Sequence, residues 1–157
     1  FVQRLVHAAL KVLVYEVDGT RPRLLLLANG ADWDPECGCP VYPEDLDTSQ
    51  WFPSDQTETT VDYFPGTRCW LANGYSILSV PRKEDGRGTA PINEVISRLF
   101  AIEWRGPLVV VKRARRHSLQ AINITSPEVS MVNAVVERYV YRRPLFLFII
   151  LIFHLRN

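Results

Sequence analysis

Between residues 24 and 67 the chain carries nine acidic side chains (Asp32, Asp34, Glu36, Glu44, Asp45, Asp47, Asp55, Glu58 and Asp62) and no Lys or Arg. The remaining residues hold all eighteen Lys and Arg against eight acids, so a formal net charge of +1 conceals two oppositely charged parts. The same stretch spaces Pro35, Pro40, Pro43, Pro53 and Pro65 along its length, which argues against a long helix or a central strand. It also holds Trp33, Tyr42, Trp51, Phe52, Tyr63 and Phe64, more rings than a solvated acidic tail carries. The expectation is a long ordered loop, fastened to the core by its aromatic residues.

With 157 residues, 47% hydrophobic and 22% charged, the chain has the size and composition of one globular domain. Residues 8–17 and 23–28 are apolar runs joined by Asp18-Gly19-Thr20-Arg21-Pro22, which predicts a β-hairpin. Residues 70–80 read as a third strand, broken at Asn73-Gly74, and residues 81–90 as a polar loop. Ile92, Val95, Ile96, Leu99 and Phe100 recur at helical spacing behind Pro91, a suitable first-turn residue. Residues 108–111 have the continuous apolar character of a buried strand, and residues 119–124 predict another. Ser126-Pro127-Glu128 predicts a helix start, with Val129, Val132, Val136 and Val140 on one face and a stop at Arg142-Arg143-Pro144. The fold class expected is α+β, with a mixed or mainly antiparallel sheet of about five strands packed by two helices. The domain would span residues 1–143.

Residues 144–157 form an apolar tail, nine consecutive apolar residues at 145–153 between two cationic flanks. As a helix those nine would reach only about 14 Å, half of a bilayer's hydrocarbon core of about 30 Å, so no membrane span is expected. Three readings stand side by side: a final strand buried in the sheet, a segment foreign to the domain, or an interfacial anchor helped by the two arginines.

Motifs that could carry chemistry are incomplete. Cys37-Gly38-Cys39 and the isolated Cys69 lack the paired spacing of a zinc site, so no metal or cofactor is expected. Asp32-Trp33-Asp34-Pro35-Glu36 opens like a calcium loop, but Cys37 stands where glycine is needed and Pro43 where the closing glutamate belongs. Gly74-Tyr75-Ser76-Ile77-Leu78 lacks the second glycine of a nucleophile elbow. Gly86-Arg87-Gly88 lacks the third glycine of a phosphate loop and has Glu84 and Asp85 beside it. An odd count of three cysteines fits a reducing, intracellular setting, cytoplasmic or nuclear.

Lys112-Arg113-Ala114-Arg115-Arg116-His117 is the densest basic run and predicts a solvated hairpin turn. Arg115-Arg116-His117-Ser118-Leu119 matches what basophilic kinases read, which makes Ser118 a candidate phosphorylation site. The candidate interaction residues are Lys112, Arg113, Arg115 and Arg116 on the basic side, with Asp32, Asp34, Glu36, Trp33 and Trp51 on the acidic side. Charge segregation of this kind speaks to association more than to catalysis. The expected function is a non-catalytic intracellular protein-binding or scaffolding module. The alternatives are an enzyme with its site in the acidic aromatic stretch 31–70, or nucleic-acid binding through residues 112–117.

In Trp51-Phe52-Pro53, Asn73-Gly74-Tyr75 and the run from Trp104 through Lys112, the chain resembles uncharacterised fungal proteins, some of which carry a MYND-type zinc finger elsewhere. The resemblance covers about residues 8–140 and leaves the tail outside. It implies an origin and supplies no catalytic residue.

Overall fold

Strand β1 (Leu10–Tyr15) folds back on β2 (Arg23–Leu27) as the turn residues require, with Leu13 opposite Leu24. The computed structural model describes residues 9–27, 32–34, 39–42, 46–64, 66–81, 89–115 and 120–154, with the backbone alone described at 32–34, 39–41 and 143–154. Two short strands, β3 (Asp32–Asp34) and β4 (Cys39–Val41), make a small separate sheet. The main sheet adds β5 (Thr57–Tyr63), β6 (Trp70–Ser79), β7 (Leu108–Arg113) and β8 (Ala121–Ile122). Its order is β2-β1-β7-β6-β5, with β8 also on β7, and every pairing is antiparallel. Helices α1 (Glu94–Phe100) and α2 (Val129–His154) complete an α+β fold.

Because side chains alternate along a strand, the sheet has two apolar faces. Leu13, Tyr15, Tyr75, Ile77, Leu108 and Val110 face the helices. There they meet Val95, Ile96 and Phe100 of α1 and Val132, Val135, Val136, Tyr139 and Val140 of α2. Val12, Val14, Leu27, Leu78, Val109 and Val111 point the other way, where Tyr42 and Phe52 cover them with Leu46 and Trp51 at the margin. Tyr42, Trp51 and Phe52 thus anchor the acid-rich stretch on the sheet, as expected, while Tyr63 stays exposed.

Several expectations need correction. The acid-rich stretch is more than a loop: it supplies β3, β4 and β5. In β5 the sequence Thr57-Glu58-Thr59-Thr60-Val61 alternates half-buried with exposed positions until Val61, and its threonines suit an outer strand. Strand β6 runs unbroken through Asn73 and Gly74. Asn73 is held there by its Nδ2, which donates to the Ala114 carbonyl at 2.9 Å. Helix α1 begins after Asn93, not at Pro91: the Asn93 Oδ1 accepts from the Ile96 amide at 3.0 Å. The α2 start lies at Thr125, one residue before Ser126, and runs through a 3-10 turn (Ser126–Glu128).

The tail is not a strand. Helix α2 passes through Arg142 and Pro144 and ends at His154. Proline removes one backbone donor and strains the preceding turn, but its fixed φ is helical, so the helix continues through it. No helix among the described residues is long and apolar enough to cross a membrane.

Candidate interaction surface

Strand β7 ends in two consecutive cations, and consecutive strand residues point to opposite faces. Lys112 goes to the helix side and is 9% exposed; Arg113 goes to the other side and is 5% exposed. Burying a charge is costly unless it is paired, and each has its acid. The Lys112 Nζ pairs with the Glu128 carboxylate at the start of α2. The second Glu128 oxygen accepts from the Thr125 amide at 2.7 Å and the Thr125 hydroxyl at 2.8 Å. Partial burial raises the Glu128 carboxyl, but Lys112 and the two Thr125 donors outweigh it and hold it below the usual carboxylate range. Tyr75, opposite Lys112 in register, is pushed up to about 12 by burial, with the Glu128 charge adding to the effect.

On the far face the Arg113 Nε donates to the Ser76 hydroxyl at 2.9 Å, and Nη2 to the Glu58 carboxylate at 2.9 Å. Gly74 lies beside this cluster, where a Cβ would sit 2.6 Å from Asp62 Oδ1. The basic run is therefore not a solvated turn from its first residue. The strand extends through Arg113, and the turn starts at Ala114, whose amide donates to the Gln120 carbonyl at 2.9 Å. Arg115 is exposed, while Arg116 and the candidate phosphorylation site Ser118 lie outside the described residues.

Asp32, Trp33 and Asp34 form β3, in register with Val41, Pro40 and Cys39; Glu36 lies outside the described residues. Trp51 is half-buried against the far-face core. The structure joins the acid-rich stretch to the basic run through Glu58 and Arg113, and Glu58 was not among the candidates. Cys69 is a free, exposed thiol, Cys37 lies outside the described residues, and no group of three metal-ligating side chains forms among those described.

Sequence reasoning also missed the exposed apolar positions. Leu26 on β2 is 61% exposed. At the far end of the β5–β6 hairpin, Trp70 is 61% and Tyr63 is 47% exposed, their rings edge to face at 5.8 Å. The Arg138 guanidinium lies 4.6 Å over the Phe64 ring in the same turn. Asn93, fully buried, went unmarked too: its Nδ2 donates to the Tyr15 and Gly106 carbonyls, both at 2.9 Å. An Asn directly before Glu94 was the available signal for a cap. No protein-family model, curated protein or solved structure matches the chain.

Proposed function

We propose that the chain is a non-catalytic intracellular module that binds a protein partner by accepting an extended segment along the outer edge of β2. The observation that carries this reading is Leu26, 61% exposed in a run of four leucines on an outer strand. Among the described residues β2 pairs with β1 on one side and with no strand on the other. An apolar outer strand is a template for strand addition, in which main-chain hydrogen bonds supply affinity and alternate side chains supply selectivity. Nucleic-acid binding through residues 112–117 is less favoured, because Lys112 and Arg113 are already engaged by Glu128 and Glu58. The free Cys69 fits an intracellular module.

A photo-crosslinking residue at position 26 is expected to capture one reproducible protein, and the same residue at exposed Glu103 is not. Binding of that purified protein should weaken at least tenfold in Leu26→Lys, which keeps the strand but charges its edge. Unchanged affinity in Leu26→Lys would reject the reading.

A further inference from the structure

We propose that the outer end of α2, together with the β5–β6 turn, seats the protein on an anionic lipid bilayer, residues 145–153 lying within the interfacial layer. The buried side chains of α2 run from Val132 to Val140; Tyr141 and Arg142 are exposed. The same helix then continues through nine residues that are all apolar in sequence.

The turn between β5 and β6 stands beside that exit. Arg138 covers Phe64, and the Arg142 Nη2 lies 2.9 Å from where a Cβ on Gly66 would be. Arg68 is exposed in this turn, and Arg143 follows Arg142 in the chain. Arg138 and Arg142 thus lie against the turn that also carries the exposed Arg68, with Glu137 as the neighbouring acid of α2. Trp70 and Tyr63 project from the same hairpin, 61% and 47% exposed. Rings with a polar atom, beside cations, at the root of an apolar segment have the composition of a membrane interface.

The segment's length and its flanks decide how it would lie. Nine helical residues reach about 14 Å, half of a hydrocarbon core of about 30 Å. Arg142 and Arg143 precede them, and His154 and Arg156 follow. A cation at either end resists the hydrocarbon centre, so both ends stay at headgroup level and the segment lies along the surface. Pro144 removes the amide that would otherwise donate to the Val140 carbonyl, which makes the helix easier to bend where the apolar segment begins. A short apolar segment alone holds a membrane weakly; the arginine cluster is the second attachment, and it selects anionic lipid.

The test is flotation of the full chain with vesicles of phosphatidylcholine alone or with about 30% phosphatidylserine. Binding is expected to be at least tenfold stronger to the anionic vesicles and to fall at least tenfold between ~0.1 M and ~0.5 M salt. Ile149→Asp and the exposed double variant Arg68→Glu/Arg142→Glu should each lose it while keeping the wild-type unfolding temperature. The Trp fluorescence should shift to the blue with vesicles, and the shift should shrink in Trp70→Phe. No flotation, or flotation indifferent to Ile149→Asp, overturns the proposal. So does a vesicle-independent dimer in sedimentation velocity that Ile149→Asp dissociates, because a second copy would then occupy the segment.

Discussion

The two faces of the central sheet are covered by opposite means. On one side two helices lay valines, Ile96 and Phe100 onto the strands in a regular pattern. On the other, an irregular, proline-spaced and acid-rich stretch brings in Tyr42, Phe52, Leu46 and Trp51 one at a time. The first cover draws its stability from repetition, because each helical turn presents another apolar side chain. The second depends on a few large rings, each burying a great deal of area at a point. Both faces nonetheless solve the charge at the end of β7 in the same way. An acid from another element meets each cation: Glu128 from the start of α2 for Lys112, and Glu58 from the outer strand β5 of the sheet itself for Arg113.

The sharpest way to break this comparison is to remove one anchor from each side. Ile96 of α1 is fully buried, and Phe52 is 7% exposed on the far face. Ile96→Ala and Phe52→Ala are each expected to cost about 2–5 kcal/mol in denaturant unfolding. A cost below about 1 kcal/mol for Phe52→Ala alone would reduce the acid-rich cover to an adherent loop.

The ion pairs give the next largest effect, and they should differ. Glu128→Gln leaves the buried Lys112 ammonium with a weaker partner, at an expected cost of about 2–3 kcal/mol at neutral pH. The folded-state pKa of Glu128 is lowered, so its contribution is complete above the ordinary value of about 4.3 and is lost as pH falls through the lowered one. Wild-type and variant stabilities should therefore converge in acid, as thermal unfolding across that range would record. A gap that stays constant with pH would mean that the pair is not coupled to titration.

The smallest effect is expected from Glu58→Gln. The Glu58 side chain is 45% exposed, against 24% for Glu128, so water screens its pair with Arg113. A cost of about 0.5–1 kcal/mol, shrinking toward ~0.5 M salt, is the expected result of chemical denaturation. A loss as large as that of Glu128→Gln would erase the difference between the two faces.

Much of the helical side was legible in the residues themselves. The β1–β2 hairpin followed from Asp18-Gly19, β7 from its valine run, and the valine face of α2 from its spacing. The far side was harder to read, because charge and proline density concealed the strand preference of Thr57, Thr59 and Thr60. Packing decided the rest. Nothing local told that Lys112 and Arg113 would lie within a strand, since their burial depends on acids sixteen and fifty-five positions away. The helical course of the tail was hidden by Pro144, whose missing donor reads in sequence as a stop. The exposure of Leu26, Trp70 and Tyr63 could not be told from composition, because a lone apolar side chain on a strand does not declare its face.

Strand β7 has a consequence for the order of assembly. Among the described residues it alone joins β1 to β6, through Val14 opposite Val109 on one side and Leu78 opposite Val109 on the other. The β1–β2 and β5–β6 hairpins are made early in the chain, but neither has its neighbour until residue 113 has left the ribosome. Contacts between such distant parts of a chain form slowly, because the intervening loop must close before any pairing rewards it. Until then the free edge of β1 and the facing edge of β6, both of which β7 later pairs, wait open, and open strand edges are where a folding chain is most exposed to wrong association.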